Sequence, residues 1–428
     1  MAKSTHKKEP LQVSRRGFVA GSAAVAATAM TLEGCSSSSG LQGIVDGVKA
    51  QFPDAHVEYL DVDFSQILPH AEMNMVDSVD YLYETKAFDL PLGSLVYQSS
   101  DSQALVMAKG ASSKALIRLG FVSLDSGTFT PVLEEALGVN EDFIIYDARA
   151  SAEAVVWVEC NMVHGQWRVF ATHMIDGMVS AESMKQALLL DEGEDSYSPP
   201  QLAASGKKVY WSVMPDPDGP ASSEDSYLKA VTFASGKAGA TATPEQSIVF
   251  TSHGRMITNP TVSGGTLTIV PRVDTDGVYY QLTAIDIESD EVRNISILPP
   301  SLRVANAVWL EEGFAFGIEG NYDYAKGLSL FGTYQQMKNE QFLYINKVPA
   351  FPAVQMNALT YIKSTKNVIG LDTDTGTAVI VGTPKDCVSY GDILAGTGVQ
   401  NRLVTYTTIV SRVVQNSGIC HVRVFDYL

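Results

Sequence analysis

The chain has 428 residues, with 30 Lys and Arg against 48 Asp and Glu, a formal net charge of −18. A surface that acidic repels phosphate backbones and anionic lipid head groups, which argues against nucleic acid as a partner and leaves no charge attraction to a bilayer. The length suits two ordinary domains or one large closed β architecture.

The N-terminus opens with a basic leader containing Lys3, Lys7, Lys8, Arg15 and Arg16, followed by an Ala-rich apolar stretch from Phe18 to Leu32. At about fifteen residues, with Gly21, Ser22 and Thr28 inside it, this stretch is too short and too weakly apolar to span a bilayer, so it reads as the h-region of a signal peptide. Ser14-Arg15-Arg16-Gly17-Phe18-Val19 resembles the twin-arginine export consensus of bacteria, a paired arginine followed one residue later by a large apolar side chain. The resemblance implies export of an already folded protein, with Arg15, Arg16 and Phe18 carrying the signal.

Leu32-Glu33-Gly34-Cys35 resembles a lipobox, although Glu33 departs from the small or apolar residue usual at that place. The resemblance implies a diacylglycerol thioether on Cys35, so that residues 1–35 are signal peptide and the protein is held at the outer face of the cytoplasmic membrane, in the cell envelope. The alternative is ordinary cleavage after Ala27-Thr28-Ala29 and a soluble product. Residues 36–40, four serines and a glycine, are expected to form a flexible tether. Residues 1–35 hold five basic and two acidic residues, so the remainder carries 25 basic and 46 acidic, a net charge of −21. Membrane contact therefore rests on the anchor.

Further along, helical periodicity is scarce. It is expected over Gly40–Gln51, around Pro69–Tyr83 and over Ser180–Leu190, the last as a short insertion. Segments such as Lys208–Val213, Thr266–Val270 and Arg402–Tyr406 are instead short, β-branched or aromatic, and bounded by turn residues. A hairpin recurs in which a strand ends at an acidic or glycine turn and an apolar strand follows, as at Leu124-Asp125-Ser126-Gly127-Thr128 and Leu371-Asp372-Thr373-Asp374-Thr375-Gly376-Thr377. Asp accepts backbone hydrogen bonds in such turns, and Gly supplies the positive φ that closes them. Turns at Gly127, Gly177, Gly236, Asp290, Asn339, Gly376 and Gly418 recur about every 48 residues, the length of a four-stranded propeller blade.

The expected fold is therefore all-β, a β-propeller of about seven four-stranded blades, with six or eight also compatible with the period and a pair of β-sandwiches as the alternative. The hairpins resemble those of quinoprotein-type and other YVTN-like propellers, over roughly residues 93–428. Residues 41–92 are expected to pack on the propeller or close it, with His56–Val62 as an outer strand that closes the ring.

Motifs that carry chemistry are few. Asp372-Thr373-Asp374 and Asp274-Thr275-Asp276-Gly277 place carboxylates two apart as calcium loops do, but lack the glutamate that completes such a loop, so they read as turns and no metal site is expected. The seven histidines do not cluster, and no nucleophile elbow, phosphate loop or dinucleotide fingerprint occurs. No catalytic residue and no cofactor is assigned. Cys387 and Cys420 fall in the final repeat and could form a disulfide in an oxidising envelope, or stand as buried thiols alongside Cys160. The expected function is a membrane-tethered, non-catalytic binding module for an envelope protein, glycan or other ligand. The alternative is a propeller enzyme, a lyase, glycosidase or quinone-dependent dehydrogenase, working at the central channel.

Overall fold

A computed structural model of the chain describes residues 38–110, 117–138, 142–175, 177–194, 198–215, 224–234, 245–275, 277–300, 302–311, 313–321, 326–346, 351–388, 390–410 and 418–428. The export residues Arg15, Arg16 and Phe18, the lipid-attachment candidate Cys35 and the turn residue Gly236 lie outside them. Helix α1 runs over Ser38–Gln51. It takes in the end of the expected tether, Ser38 to Gly40, and covers the helix expected over Gly40–Gln51. Residues from Gln42 to the C-terminus form one compact unit. Among the described residues, no helix is long and apolar enough to cross a membrane.

That unit begins with four N-terminal strands, β1 (His56–Tyr59), β2 (Ile67–Pro69), β3 (Asn74–Asp77) and β4 (Leu82–Pro91). The first sheet follows as β5 (Leu95–Gln98), β6 (Gln103–Lys109), β7 (Ile117–Ser123) and β8 (Phe129–Leu133). The second is β9 (Ile144–Ala150), β10 (Ala154–Asn161), β11 (Gln166–His173) and, after helix α2 (Ala181–Lys185), β12 (Leu188–Gly193). The third is β13 (Gln201–Ser205), β14 (Lys208–Val213), β15 (Ser226–Thr232) and β16 (Gln246–Ser252), and the fourth β17 (Thr261–Ser263), β18 (Thr266–Ile269), β19 (Gln281–Asp286) and β20 (Val292–Ile297). The fifth is β21 (Leu302–Trp309), β22 (Phe314–Asn321), β23 (Gly332–Gln336) and β24 (Phe342–Asn346), and the sixth β25 (Val354–Met356), β26 (Leu359–Lys363), β27 (Val368–Asp372) and β28 (Thr377–Val381). The last contains β29 (Ile393–Leu394), β31 (Leu403–Val410) and β32 (Gly418–Tyr427), while β30 (Gly398–Val399), between β29 and β31 in the chain, lies at the edge of the sixth sheet beside β25.

Among the described residues the strands make seven sheets, each with an antiparallel four-stranded core. The middle strands explain why the sequence reads as apolar runs rather than alternation. Every residue of β10, Ala-Val-Val-Trp-Val-Glu-Cys-Asn, is buried, because both faces of a blade pack on neighbouring blades. Val155 and Trp157 face the first sheet with Leu105, whereas Val156 and Val158 face the third with Trp211.

The same sharing continues around the ring. Tyr210 and Leu267 share a cluster between the third and fourth sheets, Leu282 and Phe316 between the fourth and fifth, and Leu343 and Ile362 between the fifth and sixth. Val379 and Leu403 join the sixth to the seventh, and Val404 and Val106 join the seventh back to the first. Seven clusters between seven successive sheets close a β-propeller.

Closure differs in detail from the expectation. The strand that completes the last sheet is β4, antiparallel to β32 from Tyr427↔Leu82 to Ile419↔Pro91. The candidate His56–Val62 supplies β1, which pairs in parallel with β20 as a fifth, outermost strand of the fourth sheet. In the same way β2 pairs in parallel with β24 and β3 with β28. Residues 56–91 are thus a belt that covers the outer edges of the fourth, fifth and sixth sheets before completing the seventh. It blunts edges that would otherwise present unpaired backbone groups.

Two helix expectations fail in part. Around Pro69–Tyr83 the chain forms β3 between short 3-10 turns at His70–Glu72 and Ser78–Asp80, because a free sheet edge outweighs weak local helix preference. Over Ser180–Leu190 only α2 is helical, capped by the Ser180 hydroxyl accepting from Ser183 N at 3.0 Å, and Leu188 already belongs to β12.

Candidate functional site

The innermost strands leave a cavity of about 760 Å³ on the propeller axis, within the roughly 300–1,000 Å³ range of small-ligand sites. Strands from several blades contribute Tyr97, Gln98, Gln201, Asn306 and Tyr406, together with Thr258 just before β17 and the first-to-second-strand turns at Ser99–Asp101, Ser151–Ala152 and Ser205–Gly206. Among the described residues, Asp101 and Arg149 are the only formally charged side chains in this wall, and it contains no histidine, lysine, glutamate or cysteine.

Arg149 is paired with a neighbouring carboxylate, and Asp101 is hydrogen-bonded to a neutral amide. The Arg149 guanidinium donates to Asp147 Oδ1 at 2.5 Å and to the Ala148 carbonyl at 2.6 Å, and it lies 4.1 Å from the centre of the Tyr97 ring. Asp101 Oδ2 accepts from Asn401 Nδ2 at 2.7 Å. What remains for a ligand is amide, hydroxyl and aromatic surface.

The first-to-second-strand connection of the seventh sheet, residues 395–402, bulges inward to form a strap across one end of the cavity. Its strand β30 pairs in parallel with β25 of the sixth sheet through Val354↔Gly398 and Gln355↔Val399. On the far side Val399 N donates to Ser263 Oγ of the fourth sheet at 3.1 Å. Gln98 N of the first sheet donates to the Ala395 carbonyl at 2.9 Å. Gly398 has φ +70°, and a Cβ there would lie 2.3 Å from Ser263 Cβ, so the crossing is shaped around a glycine.

The other sequence candidates do not converge. Asp372 Oδ1 accepts from Asp374 N at 3.0 Å and Thr375 N at 3.1 Å, an Asx turn. Asp276 lies outside the described residues, and among those described no group of three His, Cys, Asp or Glu is placed to hold a metal. Cys387 and Cys420 are free thiols. Cys387 bridges to Ile409 on one edge of β31 and Cys420 sits opposite Thr408 on the other. Two inter-strand spacings, roughly 9–10 Å, therefore separate them, more than the roughly 4.4–6.8 Å between Cα atoms that a disulfide allows. Burial pushes the Cys420 thiol up to about 12.

Four buried ionisable side chains away from the cavity carried no motif. Glu159 accepts from Leu137 N at 2.8 Å, Gly138 N at 3.1 Å and Trp157 Nε1 at 3.0 Å. Lys363 is buried and donates to the Tyr390 carbonyl, and Arg423 is paired with the buried Asp392.

No family model matches the chain, and no curated protein does. Among solved structures it is similar to the β-propeller domain of the Trilobed protease from Pyrococcus furiosus, at 9% identity and a TM-score of 0.45 over 78% of this chain and 97% of that one. It is also similar to the acylaminoacyl peptidase of Pyrococcus horikoshii, at 9% identity and a TM-score of 0.44 over 78% of this chain and 51% of that one. TolB from Acinetobacter baumannii matches at 12% identity and a TM-score of 0.34, over 77% and 78% of the two chains. The propeller assignment rests on the seven sheets and the interfaces between them.

Proposed function

We propose that this protein is exported folded, held at the outer face of the cytoplasmic membrane by a diacylglycerol on Cys35, and acts there as a non-catalytic module that binds an envelope ligand in its axial cavity. The observation that carries the binding reading is the wall of that cavity. General acid–base or nucleophilic work calls for titratable groups converging on one reacting atom. This wall offers neutral side chains, an arginine already paired with Asp147, and one carboxylate, Asp101, on an exposed turn.

The export and anchor parts rest on Arg15, Arg16, Phe18 and Cys35. Two acyl chains suffice for stable anchoring at about 0.8 kcal/mol per buried methylene, even for a protein of this negative charge. The test is crosslinking in intact cells followed by purification of the wild type, of Cys35→Ala and of Ala152→Trp, which places an indole on an exposed position of the cavity wall. A partner captured by wild type and lost with Ala152→Trp supports the reading. Capture unchanged by Ala152→Trp rules out the cavity as the binding site, and a wild-type protein that partitions with the aqueous phase rules out the anchor.

A further inference from the structure

The strap across the axis changes what kind of ligand the cavity can take. A through-channel admits the middle of a polymer, whereas a channel crossed at one end admits only a chain end. Here the crossing is held on three sides, by backbone pairing with β25, by Ser263 Oγ and by the contact of Ala395 with Gln98. A Cβ added at Gly264, beside Ser263, would come within 3.9 Å of the Val399 side chain, so the strap runs close over the fourth-sheet turn.

Charge then distinguishes between kinds of chain end. A peptide terminus brings an ammonium or a carboxylate into the cup, and a buried ion without a counter-charge is expensive. Arg149 is held by Asp147 and stacked on Tyr97, so it is not free to meet a carboxylate, and Asp101, bonded to the neutral Asn401 amide, keeps its charge on an exposed turn where water and salt screen it from an ammonium. The end of a neutral glycan brings no charge. It presents hydroxyls that both donate and accept: Gln98 Oε1 and Gln201 Oε1, both buried and without a partner, can accept from them, and the Gln201 amide and the Ser205 hydroxyl can donate. The half-buried Phe351 adds an apolar face to the same wall. The net charge of −18 also disfavours sulfated or uronic-acid chains.

From these observations we infer that the axial cavity is a blind cup that recognises the terminal residues of an uncharged glycan. The inference rests on the cavity being the binding site, as set out under the proposed function.

The experiment uses the full chain, solubilised in detergent, on an array of glycans attached through their reducing ends, carrying neutral, sialylated and sulfated members, with maltoheptaose and β-cyclodextrin compared as soluble competitors. The expected result is binding confined to neutral members, weakened about tenfold by Ala152→Trp, with cyclic β-cyclodextrin competing less well than any linear oligosaccharide of the bound class. Gln201→Ala is a milder second variant, expected to weaken binding while circular dichroism stays that of the wild type. Preference for anionic glycans, equal competition by cyclic and linear sugars, or a blank array overturns the inference. If the array is blank while the partner crosslinked in cells is still lost with Ala152→Trp, the cavity binds something other than a glycan end. If Ala152→Trp alters neither assay, the cavity reading falls as well.

Discussion

Arg402 Nη1 lies 2.6 Å from Asp125 Oδ1, a carboxylate 277 positions earlier, across the seam where the seventh sheet meets the first. The same guanidinium reaches Asp426 at 2.7 Å, Thr85 Oγ1 on the closing strand at 3.2 Å and the Asp101 carbonyl at 3.1 Å. One planar group thus ties both ends of the ring together in a way that a lysine point charge cannot reproduce. Arg402→Ala is expected to lower stability by about 2 kcal/mol, read by urea denaturation. Arg402→Lys should recover less than half of that, and Asp125→Asn alone should change little because its side chain is largely exposed.

Glu159 should give the folded state a distinctive pH response. Burial raises its carboxyl above the ordinary value, against the backbone N–H groups of Leu137 and Gly138 and the Trp157 indole, which favour the ionised form. The native state therefore holds this proton where the unfolded chain has lost it. Its contribution is full below the ordinary carboxylate range and fades as pH rises through the raised value. Glu159→Gln should flatten that part of the stability profile. Glu159→Ala, which strands three buried donors, should cost about 3 kcal/mol.

Lys363 works in the opposite direction. Burial lowers its ammonium from 10.5 to about 8, with Asp392 opposing the shift. The unfolded chain then binds the proton more strongly, so this residue makes the protein more stable as pH rises from about 8 towards the ordinary lysine value. Lys363→Met, similar in length and uncharged, should remove that rise. Chemical denaturation at several pH values between these limits is the measurement, and an unchanged slope in the variant would refute the assignment.

Gly398→Ala tests the strap. The substitution meets both a left-handed backbone and a contact of 2.3 Å with Ser263, so a loss of about 2–4 kcal/mol, or displacement of the strap, is expected. Gly376→Ala is the control. It also has positive φ but open space around the added carbon, and should lose only the conformational part, about 1–2 kcal/mol.

The ring was legible because turn chemistry is local. Gly127, Asp290 and Gly376 all have positive φ at the turn into the fourth strand of a blade, where the recurring hairpin places them. Of the belt only His56–Val62 was legible, as an outer strand, because strands of three or four residues such as β2 and β3 show no usable period. Their pairing, as of Tyr59 with Ile297, depends on a sheet edge more than two hundred positions away. The cavity left no motif either. Most inner strands contribute only a few small or neutral residues, and the strap is a two-residue strand whose only local sign is a glycine among several. The choice between a disulfide and free thiols at Cys387 and Cys420 stayed open for the same reason, since sharing a repeat says nothing about which edge of β31 each cysteine occupies.

The belt also determines how the molecule would yield to mechanical load. A pull applied at Gln42 first strips helix α1, whose Val45 and Val48 pack on Ile295 and Ile297 of the fourth sheet, and then meets β1, β2 and β3 in turn, each held by a few parallel backbone bonds to a different blade. Only after those three have peeled does the load reach β4, whose long pairing with β32 keeps the ring shut. For a protein tugged from its N-terminal side, the three attachments act as successive mechanical fuses, dissipating work in small steps while the circle of sheets stays intact.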